Sequence, residues 1–286
     1  LKQEGFSPAY QGIALILIAT LAIVLMNTCA KKASAVHGPV EMVFYRGLVI
    51  LTLLVPYMIT TRSAELFKTR RLKVHLYRAA VGNLGVGLAF WAYALLPMAD
   101  ATALMFASPL FVTALSPLML REMVDRFRWG AVVAGFGGIL LIVKPSAALI
   151  SNPASLIGLA AAFFVALVDI ALRNLGRTED PLTTVFYFIL FGVLAAAPYS
   201  LLYGSPPAGK SLPWMVGIGL FAALQQVAKT TALRMAEASW LAPYTYTSIL
   251  WATLIGWQLW GDFPDHFVVV GTAVVIASNL AIIWRK

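Results

Sequence analysis

Apolar residues along this chain come in long runs rather than in alternation. Ten runs can be marked, at 10–30, 40–61, 74–96, 101–120, 127–143, 154–172, 181–203, 212–233, 238–261 and 267–284, with short polar connections between them. A helix needs about 20 mostly apolar residues to cross the hydrocarbon core of a bilayer, so each run is a candidate transmembrane helix. Five of them (10–30, 101–120, 181–203, 238–261 and 267–284) contain no charged residue. The fifth, 127–143, is the shortest and has its one charge, Arg128, at its start. The connections are too short to hold a soluble domain. Any function therefore sits between helices.

The second five runs repeat the first five. Val43-Phe44-Tyr45 followed by Pro56-Tyr57 returns as Val185-Phe186-Tyr187 followed by Pro198-Tyr199, each pair 142 positions apart. Met98-Ala99-Asp100-Ala101-Thr102 returns as Met235-Ala236-Glu237-Ala238-Ser239, and Asp125-Arg126-Phe127 as Asp265-His266-Phe267. Because five is odd, a duplicated chain of spans must enter the second half from the opposite side, the inverted-repeat layout of many secondary transporters. The predicted fold is an all-α integral membrane protein, with ten transmembrane helices forming two inverted five-helix repeats around a central cavity. The predicted units are residues 1–148 and 149–286.

Composition supports the lipid solvent. Hydrophobic residues make up 60% and charged residues 12%, with a mean hydropathy of +0.84, whereas a soluble domain carries about a quarter charged residues. The net charge of +9 is a topology signal. The connection between the second and third runs, with the start of the third, holds Arg62, Lys68, Arg70, Arg71, Lys73 and Arg78, while its counterpart between the seventh and eighth keeps only Lys210. The positive-inside rule then places both termini in the cytoplasm and leaves Lys31, Lys32, Lys144 and Lys210 outside. Basic residues spread along a membrane face, with no folded domain to present them, exclude a nucleic-acid partner. The single cysteine, Cys29, allows no intramolecular disulfide and reads as packing. The first run lacks a basic leader and cleavage site and reads as a retained span.

Ten spans in two repeats, Arg46 in the second span, Leu120-Arg121-Glu122 leading to Gly130 and Gly135-Phe136-Gly137-Gly138, and Trp260-Gly261-Asp262 leading to Gly271 together resemble the drug/metabolite transporter superfamily, most closely its EamA-type branch. The resemblance covers essentially the whole chain. It implies a basket of helices around a central cavity, alternating access, and export of amino acids or other small metabolites across the bacterial inner membrane. The sequence is most similar to the amino-acid exporters of that branch. Asp262 departs from the Glu of the pattern.

Polar residues stranded in apolar runs carry the functional signal. A charge at a helix centre costs roughly 2.5–3.5 kcal/mol on insertion scales, so each needs a partner, water or a purpose. Arg46, Asp169 and Lys229 meet that description, and their repeat counterparts are the uncharged Phe188, Ile23 and Trp91. Arg46 reads as a structural charge bracing the fold. Asp169 and Lys229 fall at similar depth and are expected to meet across the cavity, with Arg173 as a rival partner for Asp169 and snorkelling as the rival for Lys229. Gln225 and Lys229 share one helical face, with Gln226 beside them. Asn27, Asn83 and Trp91 add polar or amphipathic groups. An aromatic stripe runs through Trp240, Tyr244, Ser248 and Trp251. The candidate substrate cavity is thus Asn27, Asn83, Trp91, Asp169, Gln225, Gln226, Lys229, Tyr244, Ser248 and Trp251. Pro109, Pro117 and Pro243 are candidate gating points where the fourth and ninth helices can bend. The third, fourth, eighth and ninth spans are expected to form the cavity wall. The fifth and tenth, with small-residue ridges at Gly130/Ala134/Gly138 and Ala273/Ala277/Ala281, are expected to be outer scaffold; a third ridge is Ala79/Asn83/Gly87.

Enzyme signals are absent from the sequence. There is no phosphate-binding loop, no His-Glu-x-x-His, and no paired intramembrane acids; His37, His75 and His266 have no companion metal ligands nearby. No metal and no cofactor is implied. The sequence reads as a transporter, with the bilayer and a small molecule as partners and a monomer compatible with the pattern. The alternatives are a channel-like facilitator and an intramembrane enzyme or receptor.

Overall fold

The computed structural model describes residues 8–61, 67–120, 123–143, 153–175, 179–235 and 238–284. Twelve helices account for nearly all of these, and no strand occurs among the described residues. They are α1 (Pro8–Ala33), α2 (Pro39–Thr61), α3 (Leu72–Leu95), α4 (Met98–Met105), α5 (Ser108–Met119), α6 (Arg126–Val143), α7 (Ala154–Leu175), α8 (Pro181–Leu202), α9 (Leu212–Met235), α10 (Ala238–Thr245), α11 (Thr247–Trp260) and α12 (His266–Trp284). Where helices end, local chemistry explains it. Asp180 caps α8 by accepting from Leu182 N at 2.8 Å, and Pro181 opens the first turn, where its missing N–H costs nothing. Gly261 closes α11 in the left-handed region, with φ 73°, a conformation that a Cβ penalises.

The fourth and ninth apolar runs are each broken in the middle. α4 gives way to α5 at Phe106–Ala107, and α10 to α11 at Tyr246. The two breaks share a backbone conformation: Phe106 has φ −69° and ψ −6°, and Tyr246 has φ −74° and ψ −10°. Pro109 lies just beyond the first break and Pro243 three residues before the second. A proline lacks the N–H that would reach back four residues, so the carbonyl of Met105 loses its ordinary helical partner. The two break residues meet, with the Phe106 and Tyr246 rings edge-to-face at 5.0 Å. Asn279 of α12 donates to the Phe106 carbonyl at 3.0 Å and satisfies an oxygen at the break.

The helices interlock across the two halves of the chain. α1 lies along α9, α3 along α7, α6 along α12, and α2 against α8 and α9. Lipid offers no hydrophobic drive between helices, so close backbone approach carries the association. At the α6–α12 contact a Cβ on Gly138 would sit 2.8 Å from the Gly271 carbonyl oxygen, and one on Gly271 2.6 Å from that of Gly138. The small-residue ridges expected on these helices only partly coincide with this contact. Gly138 is in it, but Gly130, Ala134, Ala273 and Ala277 are exposed; the buried ridge runs through Gly135, Gly138, Ile139 and Ile142 instead. A periodicity of four fits either face of an all-apolar helix, and only the neighbour selects one.

Seven segments are long and apolar enough to cross a membrane: Tyr10–Ala33, Pro39–Thr60, Met98–Met119, Arg126–Val143, Ala154–Leu172, Leu182–Leu202 and His266–Ile283. α3, α9 and the α10–α11 pair fall outside that set. α3 carries Lys73, His75, Arg78 and Asn83, and α9 carries Gln225, Gln226 and Lys229. The apolar criterion therefore omits the helices with the most polar side chains.

Candidate functional site: a polar cavity between the helix layers

A cavity of about 280 Å³ lies between α1, α3, α4, α7, α9, α10 and α11. α1 supplies the face Ile16, Ala19, Thr20, Ile23, Val24, Met26 and Asn27; α3 supplies Gly85, Val86, Ala89, Phe90 and Tyr93. Met105 and Phe106, at the break in the fourth run, also line it, as do Thr245 and Ser248 on either side of the break in the ninth. At one end Asn27, Tyr93 and Thr102 form a buried polar cluster. The Thr102 hydroxyl donates to the Met98 carbonyl at 2.8 Å, so the Tyr93 hydroxyl, 3.1 Å away, donates to Thr102 Oγ1; Asn27 lies against the same tyrosine oxygen. Thr20 and Thr247 bring their hydroxyls within 3.0 Å on one side. At the other end Gln225 and the exposed Lys229 of α9 form the rim. Among the described residues, nothing bonds the Lys229 ammonium.

Beyond the Tyr93 end the bundle is closed by charge. Lys31 Nζ donates to the Leu96 carbonyl at 2.6 Å and lies 3.6 Å from Asp262 Oδ2, joining the end of α1 to the α3–α4 and α11–α12 connections. Lys31 and Lys32 both sit over the Trp260 ring, at 4.9 and 4.7 Å. Nearby, Glu41 accepts from Gly38 N at 2.7 Å and Ser205 N at 2.8 Å, and His37 reaches Ser211 Oγ at 3.0 Å, tying α2 to the α8–α9 connection. The opposite end has its own tie, set to one side of the cavity. Arg78 donates to the Thr184 carbonyl at 2.7 Å and stacks on Phe188 at 4.6 Å. His75 stands 3.4 Å from Glu179, and Tyr187 donates to the Phe67 carbonyl at 2.7 Å.

The residues expected at the site separate into groups. Asn27, Gln225, Lys229 and Ser248 line the cavity. Asn83 and Trp91 line a separate groove of about 590 Å³ between α2, α3 and α8, where the Asn83 amide donates to the carbonyls of Ala79 and Phe188 at 2.8 and 3.1 Å. Gln226, one residue around the helix from Gln225, faces a third space of about 390 Å³ with Tyr57, Asp180, Thr230 and Thr231. Tyr244 packs with Ile16 and Leu241. Trp251 packs with Val24, Tyr93 and Met98, its Nε1 buried without a partner. Asp169 does not meet Lys229; it interacts electrostatically with Arg78 of α3, and the Arg173 side chain lies outside the described ones. The Trp240 side chain is likewise outside them. Arg46 finds no carboxylate or carbonyl among the described residues, and its Nε is buried unbonded. Pro117 lies inside α5 and is exposed. α6 and α12 stay off the cavity wall.

Sequence reasoning missed the largest contributor, the α1 face. Ile16, Thr20, Ile23 and Asn27 are spaced four, three and four, a helical stripe that reads as packing because three in four positions around it are apolar too. It also missed Tyr93, Thr102 and Arg78. Arg78 was grouped with the loop basics, although it lies six residues inside α3. No group of three potential metal ligands occurs among the described residues.

A helical bundle with seven apolar spans and an internal polar cavity defines a multi-pass membrane protein built to hold a small molecule. The profile of the EamA-like transporter family matches residues 10–144 and again 152–284, and the chain belongs to that family, within the drug/metabolite transporter superfamily. It is 33% identical to the riboflavin transporter of Vibrio cholerae serotype O1 over 279 residues, 94% of this chain and 91% of the relative. It is 29% identical to the pseudopaline exporter of Pseudomonas aeruginosa, covering 96% of each chain, and 26% identical to the S-adenosylmethionine uptake transporter of Rickettsia prowazekii, covering 96% and 93%. A solved crystal structure, 18% identical, superposes with a TM-score of 0.63 over 94% of this chain and 96% of the other, a likeness of fold. Family and relatives are transporters, and nothing among them indicates catalysis. The relatives' named substrates differ, and one is named an exporter while another is named for uptake.

Proposed function

We propose that this protein is a secondary transporter that moves small metabolites across the bacterial inner membrane by alternating access, and that amino acids, aromatic or otherwise apolar ones included, are among its substrates. The observation that carries this reading is the cavity, which gathers polar groups from six helices, with Asn27, Tyr93 and Thr102 clustered at one end and Lys229 and Gln225 at the other. Its volume of about 280 Å³ is at the lower edge of the roughly 300–1,000 Å³ usual for small-molecule sites. The charged closure at Lys31 and the exposed rim at Lys229 fit a state open on one side.

In this reading the halves, 1–148 and 149–286, are inverted repeats related by a pseudo-twofold axis in the membrane plane. Support comes from the contacts. Exchanging the halves turns the α1–α9 pair into α7–α3, the α2–α9 pair into α8–α3 and the α5–α7 pair into α11–α1, and leaves α2–α8 and α6–α12 as they are. α3, α9 and the α10–α11 pair then span the membrane with the other seven segments. Both termini are cytoplasmic, the rim at Lys229 faces inward, and the broken helices near Pro109, Pro117 and Pro243 bend as gates. An amino acid would set its carboxylate toward Lys229 and its side chain toward Phe90, Tyr93 and Phe106.

The test is purified protein in liposomes loaded with amino acids, sugars, amines and riboflavin, with and without a pH gradient. Saturable efflux that unlabelled substrate competes away is expected. Conductance without saturation would replace the transporter with a channel.

A further inference from the structure

We infer that the cavity selects substrates bearing an anionic group and rejects cations, with Lys229 as the selecting charge. The inference rests on the transporter reading and narrows its substrate class. Among the described residues lining the cavity there is one ionised side chain, the Lys229 ammonium, and no aspartate or glutamate. Among the described residues, the carboxylates near the interior have their interactions away from the cavity lining. Asp169 does not line the cavity and acts electrostatically on Arg78; Asp262 pairs with Lys31 beyond the closed end, where Asp100 also acts on Lys31; Glu41 is held by two backbone N–H groups; Glu179 faces His75.

A cleft lined by one sign of charge between low-dielectric walls concentrates ions of the other sign. An ammonium with no bond of its own also gains more from an incoming carboxylate or phosphate than a lysine already paired. An ammonium group on a substrate would find hydroxyl and amide oxygens only, with Lys229 repelling it at the rim. The layout also orients the substrate. Its apolar or aromatic body enters first, toward Phe90, Phe106 and the Tyr93–Thr102–Asn27 cluster, and its anionic group stays at Lys229 and Gln225. A zwitterion is bound through its carboxylate alone.

The test uses liposomes containing the full chain, loaded together with phenyl phosphate, phenylalanine, phenyltrimethylammonium, riboflavin and riboflavin 5′-phosphate, with mass spectrometry of what leaves. Phenyl phosphate is expected to leave about tenfold faster than phenyltrimethylammonium, the worth of one charge-assisted hydrogen bond, and riboflavin 5′-phosphate is expected to outpace riboflavin. Lys229→Met should erase both differences. Lys229→Glu should make phenyltrimethylammonium the faster of the phenyl pair, a gain that misfolding cannot imitate. Equal rates for phosphate and trimethylammonium in the unaltered protein, or a Lys229→Met protein that keeps its preference because the lysine only snorkels, would overturn the inference while the transporter reading stood. If none of the five compounds leaves faster than from protein-free liposomes, both fall together.

Discussion

Two spaces inside this bundle invite comparison. The groove between α2, α3 and α8 has twice the volume of the central cavity, about 590 against 280 Å³, yet nearly every residue around it is apolar, and its one amide, Asn83, is spent on two backbone carbonyls. The smaller cavity gathers hydroxyls, amides and an unbonded ammonium from six helices. In a membrane protein a large apolar recess at bilayer depth is what lipid chains fill, so volume is a poor guide to a site. What distinguishes the cavity is polar groups with capacity left over, held where hydrocarbon would leave them unsatisfied.

Filling each space in turn separates them most sharply. Ala89→Phe projects a ring into the cavity and is expected to cut transport about a hundredfold, since misplacement of a bound substrate by an ångström costs that much. Ala195→Phe in the groove should leave transport within about threefold, the cost of a surface change. Comparable losses in both, measured by efflux at matched expression, would mean that the groove is part of the pathway.

A smaller effect is expected where the cavity is shut. Lys31→Met removes the bond to the Leu96 carbonyl and the Asp262 contact, and a hydrogen bond to a charged group is worth about 1.5–3 kcal/mol. The population open at that end should rise about tenfold. With Cys29→Ser and Thr102→Cys as background, an impermeant thiol reagent applied from the Lys31 side reads it; unchanged labelling would place the closure elsewhere. The smallest effect is Asn83→Leu. It should lower thermal stability by about 0.6 kcal/mol, the average for a hydrogen bond between membrane helices, with transport at the unaltered rate. Lost transport with stability intact would move Asn83 from a helix tie to the substrate path.

Much of this was legible in the residues. Apolar runs forced helices, because an unpaired backbone group in hydrocarbon is too costly to leave exposed, and Gln225 and Lys229, four apart, had to share a face. The same geometry set Gln226 about 100° around the helix from Gln225 and turned it toward another space. Depth could be estimated too; what Asp169 would face at that depth could not. Asp169 acts electrostatically on Arg78, a residue far away in sequence that the packing of α3 along α7 brings near. The α1 wall of the cavity was hidden because a face of Ile16, Thr20, Ile23 and Asn27 looks the same whether it borders a neighbour or a void.

The sequence by itself determined the solvent, the helices, the EamA resemblance and the polar residues that hydrocarbon would not tolerate without a reason, because these follow from local composition and from the period of one helix. The tertiary structure alone decided which faces meet. It set Gly138 against Gly271, closed one end with Lys31, kept Asp169 off the cavity wall and left Lys229 as the single charge among the described residues that line the cavity. Such choices depend on contacts between residues far apart in the chain, and an apolar helix in lipid presents several faces of nearly equal preference until its neighbours fill all but one.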